Sequence, residues 1–205
     1  MRHPCAASSF RFLVAAVAAA AISAPAAARA DGFVSPWAAV QFGGAIDNVR
    51  NDVNRGRAAV GVSGGAMGAG IIGGEFDFGY SPSFFGTTND FGHNTVMNLM
   101  PNLIVGIPIG GTSGAGVRPF VTAGAGLLRT QIDGGTLANV SSSNNQWGWD
   151  AGAGVMGYFN DHFGLRGDLK YIRGFENLAT GNQIIDLGGN NQLHYWRADI
   201  GVVIR

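Results

Sequence analysis

The sequence predicts an all-β chain, an eight-stranded antiparallel up-and-down transmembrane β-barrel behind a removable export segment. Three observations lead there. Two runs of strict period-two alternation meet at an Asn160-Asp161-His162 turn, the composition is glycine-rich and charge-poor, and the N-terminal apolar run is too short to cross a bilayer as a helix.

In chain order, Arg2 and Arg11 precede an unbroken apolar run from Phe12 to Ile22, followed by Pro25 and small residues ending Ala28-Arg29-Ala30. This is the layout of a secretory signal peptide over residues 1–30, with cleavage expected after Ala30; an anchoring helix would need ~20 apolar residues. Cys5 leaves with the signal, so the mature domain, 31–205, is cysteine-free. The 13 basic residues less Arg2, Arg11 and Arg29 leave ten against 13 acidic ones, and no basic footprint for nucleic acid remains. Lys170 is the only lysine. A soluble protein of this size covers itself in Lys and Glu, whereas a membrane barrel needs charge only in its lumen and loops.

Strands are expected near 34–46, 56–66, 70–80, 94–107, 117–131, 146–159, 163–175 and 193–205. The first two carry small apolar faces, Ala38, Val40 and Phe42, then Ala58, Val60 and Val62. In the third, Ile72, Phe76, Phe78 and Tyr80 alternate with Gly73, Glu75, Asp77 and Gly79; in the fourth, Met97, Leu99, Leu103, Val105 and Ile107 alternate with Asn98, Asn102 and Gly106. Pro101 and Pro119 each remove a ladder donor and predict a bulge or a strand end. The sixth places Trp149, Ala151, Ala153, Val155, Gly157 and Phe159 on one face, and the seventh Phe163, Leu165, Gly167, Leu169 and Tyr171. The last repeats the pattern with Trp196, Ala198, Ile200, Val202 and Ile204. Apolar faces bounded by aromatics are what such a barrel shows to lipid, and Trp149, Phe159, Phe163, Tyr171 and Trp196 are the expected aromatic belts. Phe163 to Tyr171, rising ~3.3 Å per residue at a tilt of ~40°, crosses roughly 20 Å.

Short gaps at 67–69, 108–116 and 160–162 broadly alternate with long polar ones at 81–93, 132–145 and 176–192, and 47–55 is the first and shortest of the expected surface loops. In this architecture short turns face the periplasm and long loops the cell surface. Asn144-Asn145 and Gly189-Asn190-Asn191 are expected loop tips, solvated or in contact with an extracellular ligand.

The inward face gathers Glu75, Asp77, Asp150, Arg166, Asp168, Lys170, Arg197 and Asp199. Buried charges must be paired, so these form a lumen network that either plugs the barrel or lines a polar path for small solutes; the plug is the expectation. A soluble lipocalin-like barrel has the same period with its faces exchanged. It would crowd the five belt aromatics into its interior, whereas a narrow eight-stranded lumen calls for small side chains beside paired charges.

Over residues 33–205 the chain resembles the small outer-membrane β-barrel family, the group of the OmpA membrane domain, OmpX-like barrels and opacity-type surface proteins. FGLRGDLKYI is similar to the family's next-to-last strand, with the inward Arg-x-Asp pair at Arg166 and Asp168. NTVMNLMPNLIVG, RPFVTAGAGL and the terminal strand extend the likeness, although this chain ends Val203-Ile204-Arg205 where the family often closes on an aromatic. The resemblance implies a Gram-negative outer-membrane location, contact with outer-membrane lipid, and barrel-assembly machinery as a partner during biogenesis.

Other chemistries find little support. His93, His162 and His194 are the only mature histidines, and no spacing ties them into a triad or, without cysteine, a zinc site. The runs GVSGGAMGAGIIGG and GAGAGL lack the following helix and lysine of a phosphate loop. No catalytic residue, cofactor or metal is expected, nor a peptidoglycan-binding module after the last strand. The expected role is structural or surface-interaction; a narrow porin is the alternative, with a lipid-modifying enzyme and a soluble ligand-binding barrel behind it.

Overall fold

The computed structural model describes residues 30–45, 56–82, 84, 93–133, 142–177 and 192–205; the expected signal segment up to Arg29 and the Gly189-Asn190-Asn191 tip lie outside the described residues. Eight strands follow in order: β1 (Ala30–Ala45), β2 (Arg57–Gly68), β3 (Ile72–Pro82), β4 (His93–Gly106), β5 (Gly116–Asp133), β6 (Ser142–Tyr158), β7 (Phe163–Asn177) and β8 (Gln192–Ile204). Each pairs with the next and β8 returns to β1, closing the barrel. Closure leaves no strand edge, which is what a sheet needs where no water can satisfy its backbone. At the seam, Trp37 faces Gly201, Ala39 faces Asp199 and Gln41 faces Arg197 across the ladder.

The alternation predicts the faces. Along β7, Gly164, Arg166, Asp168, Lys170 and Ile172 are buried, while Phe163, Leu165, Gly167 and Leu169 are exposed. On other strands Val60, Ile72, Leu103, Val121, Val155 and Ile200 are likewise exposed. Apolar residues outside and charged residues inside are the reverse of a soluble barrel, so the apolar surface is the lipid-facing one.

One end of the barrel carries short turns. Between β2 and β3, in a three-residue connection closed by the Gly68–Ile72 pair, Ala69 (φ 50°) and Gly70 (φ 69°) occupy the left-handed region and Ile71 N–H donates to Gly68 O at 3.0 Å. Between β6 and β7, Asn160 Oδ1 accepts the N–H groups of His162 and Phe163, both at 2.9 Å.

Three expectations are corrected. Pro101 and Pro119 neither end a strand nor shift its register: Pro101 stays opposite Phe76 and Pro119 opposite Val155, and the β4–β5 ladder, which skips Met100 and Pro101, resumes in the same register at Asn102. Each ring lies on the outward phase. Asn144 and Asn145 are not a loop tip, because β5 and β6 extend past the expected ends and pair them with Thr130 and Arg129.

The lumen is also not lined only by small and charged side chains. Phe33, Met67, Ile104, Phe120, Met156, Tyr158 and Val203 pack together toward the turn end, and Phe84, Val96, Met100, Leu128, Ile172, Leu193 and Tyr195 toward the opposite, loop end. Inward glycines make room for these large groups. A Cβ on Gly61 would lie 2.3 Å from the Trp37 ring, and one on Gly154 2.6 Å from the Phe120 ring.

Candidate functional site

Between the two apolar clusters lies a band of charge. β7 supplies Arg166, Asp168 and Lys170 on its inward phase, β8 supplies Arg197 and Asp199, and β3 reaches across the lumen with Glu75 and Asp77. Arg166 Nη1 meets Glu75 Oε2 at 2.6 Å, and its Nε and Nη2 hold Asp168 Oδ2 at 2.9 and 2.7 Å. Lys170 Nζ bridges Glu75 Oε1 and Asp77 Oδ2, both at 2.9 Å. Arg197 pairs with Asp77 through Nη2 and with Asp199 through Nε at 3.1 Å. Seven of the eight expected lumen charges therefore form one connected chain in the order Asp168, Arg166, Glu75, Lys170, Asp77, Arg197, Asp199. The eighth, Asp150, takes a neutral partner, accepting from Asn102 Nδ2 at 3.3 Å.

All seven side chains are within 1% of complete burial. Removing both partners of such pairs can be neutral, while removing one strands the other without water, so the chain acts as a unit that fixes which strands face each other. Aromatic faces complete the cationic solvation: Arg166 lies 4.7 Å from the Phe120 ring centroid and Arg197 4.1 Å from that of Trp37. Trp37 Nε1 donates to Ser63 Oγ at 3.1 Å, and Ser63 Oγ donates to Asp77 Oδ1 at 3.3 Å.

A second cluster at the turn end was not foreseen. Asp31 on β1 receives Arg118 of β5 on Oδ2, and Arg205, just past β8, lies with Nε 3.1 Å from Oδ1. Both guanidinium groups sit over the Tyr158 ring, at 5.3 and 3.7 Å. Arg118 falls on the inward phase with Phe120 and Thr122, so period two could have found it; Pro119 beside it obscured the strand.

The expected belt residues divide between the two ends. Trp149, Tyr171 and Trp196 lie side by side on β6, β7 and β8, with centroids 5.6 and 5.0 Å apart, and Phe159 and Phe163 flank the opposite turn. The histidines do not gather. His162 lies in that turn, His93 begins β4 and His194 lies on β8 against Tyr171. Among the described residues, no three His, Cys, Asp or Glu side chains are placed to hold a metal ion.

A closed antiparallel barrel with an apolar exterior and a charged interior defines the class of outer-membrane barrel proteins. The family model for the outer membrane protein beta-barrel domain matches residues 13–202, and the chain belongs to that family. No curated protein matches it. Among solved structures it is similar to Neisserial surface protein A, with a TM-score of 0.59 and 14% identity over 85% of this chain and 96% of that one. The N-terminal β-barrel domain of Pseudomonas aeruginosa OprF gives 0.52 and 18% over 84% and 95%, and Ail, the attachment invasion locus protein of Yersinia pestis, 0.52 and 13% over 84% and 97%. At these identities the likeness is one of fold.

Proposed function

We propose that this protein is a plugged outer-membrane barrel with a structural or surface-interaction role, and that its lumen is neither a solute path nor a catalytic cleft. The observation that carries this reading is the layering of the interior, in which a fully buried ionic chain lies between two packed apolar clusters. An eight-stranded barrel has only enough interior for its own side chains, and here aromatics, methionines and paired charges fill it. Work that excludes the lumen falls to the lipid-facing surface and the segments joining strands at the loop end. In this reading the signal peptide is removed after Ala30, the assembly machinery inserts the barrel with its turns toward the periplasm, and the Trp149–Tyr171–Trp196 row and the Phe159–Phe163 pair lie at the two lipid interfaces. The loop-end segments then meet an extracellular ligand, a role that suits the attachment in the name of Ail.

The test is conductance of the purified barrel in a planar bilayer. The expected record is flat, without steady single-channel steps. Steady, large currents would overturn the plug and favour the narrow porin.

A further inference from the structure

The ionic chain has an unfinished end. Asp168 and Asp199, its two termini, are direct partners in the β7–β8 ladder, which puts their Cβ atoms ~5 Å apart. The chain of seven charges thus bends into a ring whose last link joins two carboxyls. Each spends Oδ2 on the arginine two residues away on its own strand, and neither Oδ1 accepts a hydrogen bond among the described residues. Both residues are more than nine-tenths buried.

The row above shows what is missing. Lys170 and Arg197 are also like charges directly opposed in the ladder, and Asp77 Oδ2 sits between them, bonded to both. Among the described residues, no cation sits in the same way between Asp168 and Asp199. Their outer neighbours in the same row are Gly154 on β6 and Ala39 on β1, which have no side-chain donor to offer. The other charged groups facing the pair are Arg166 and Lys170 of β7, Arg197 of β8, Glu75 and Asp77 of β3, and Asp150 of β6. The three cations are each bonded to two carboxylates of the ring, with Arg197 Nη1 left unpartnered among the described residues and no contact from it to either Oδ1, and the carboxylates add only repulsion.

We infer that the Asp168–Asp199 pair is a proton-binding site in which one proton, held between the two carboxyls, closes the ring. Two acceptors facing each other without a donor are the arrangement a shared proton resolves. This rests on the reading of the lumen as a packed plug, in which bulk cations do not reach the pair. Because the folded barrel then holds a proton that the unfolded chain releases at neutral pH, stability must fall as the pH rises far enough to strip it.

The test is infrared difference spectroscopy of the folded barrel in lipid at neutral pH, which reads protonated carboxyl groups by their carbonyl band and its shift in heavy water. One such group per barrel is expected in the wild type, with the band lost in both Asp168→Asn and Asp199→Asn and kept in Asp150→Asn. The amide of either Asn variant donates to the remaining carboxylate, so these variants should also keep their alkaline stability where the wild type loses it. Should an Asn variant fail to fold, Asp199→Ser serves, its hydroxyl being the donor. No band at neutral pH, or stability that depends on sodium in place of pH, overturns the shared proton. A band that survives substitution at position 168 or 199 but vanishes in Asp150→Asn overturns it too. Conductance measured on the same samples separates this failure from failure of the plug itself.

Discussion

Lys170, the only lysine of the chain, is the centre of the ionic ring, since it joins Glu75 to Asp77 while Arg166 and Arg197 hold their other sides. Replacing it with Met keeps the stem and removes the charge, which leaves two β3 carboxylates under-compensated without water. Breaking a buried pair in this way costs about 3–5 kcal/mol. Denaturant unfolding of Lys170→Met from lipid vesicles should show a loss of that order; a loss near zero would mean that the arginines alone suffice. The inward position of these groups was legible in the sequence because period two assigns each residue a face. Their partners were not, because the pairing of β3 with β7 and β8 across the lumen depends on barrel curvature and side-chain length, which no local pattern encodes. Trp37 shows the same limit. Its place one residue from outward Ala38 puts it inside, but its stacking on Arg197 requires Gly61 and Gly79 on neighbouring strands to leave room.

At the scale of elements, the number and order of the strands were legible, but the alternation of short turns with longer connections was legible only in part, since the β5–β6 connection (134–141) is no longer than the β4–β5 turn (107–115). The strand ends were not: hydrogen bonding carried β5 and β6 into the polar segment around Asn144, where composition alone reads as loop. The β2–β3 turn exposes a locally imperfect choice. Ala69 holds φ 50°, where a Cβ costs roughly 1–2 kcal/mol that Gly or Asn avoids in large part. Ala69→Asn should raise stability by about 0.5–1 kcal/mol through relief of that strain, with the mobility shift between unboiled and boiled samples moving to higher temperature. The outer faces of β6 and β8 invite an optical test. Of the four tryptophans, Trp147, Trp149 and Trp196 lie on the outward phase and Trp37 inside. In single-tryptophan variants, lipids brominated along the acyl chain should quench Trp149 and Trp196 and leave Trp37 bright. Quenching of Trp37 equal to that of Trp196 would reverse the assignment of the faces.

Across the whole molecule, closure depends on the turn end, where β1 begins and β8 finishes. Asp31 is held there by Arg118 and Arg205, Arg205 Nη1 donates to the Thr112 carbonyl in the β4–β5 turn, and Arg205 N–H donates to His162 O in the β6–β7 turn at 2.9 Å. This one corner ties the two strands of the seam to two turns and to Tyr158 of β6. The roles of the two arginines differ. Arg118 is almost fully buried and lies over the β2–β3 turn, so it resembles a lumen group, whereas Arg205 is partly exposed and closes over Asp31 from outside. Asp31→Ala leaves two guanidinium groups facing each other over one ring and should cost about 3–5 kcal/mol, the range for a buried charge deprived of its partner. Arg205→Ala leaves Asp31 paired with Arg118 and should cost about 1–2 kcal/mol, mainly the stacking on Tyr158 and the partly screened ion pair. If the corner works as a unit, the double variant costs less than the sum of the two, with a coupling of roughly 0.5–3 kcal/mol. Unfolding from lipid vesicles measures all three. Strict additivity would mean that Arg205 merely covers the barrel end, and that the ladder from Trp37–Gly201 to Phe42–Trp196 closes the seam without it.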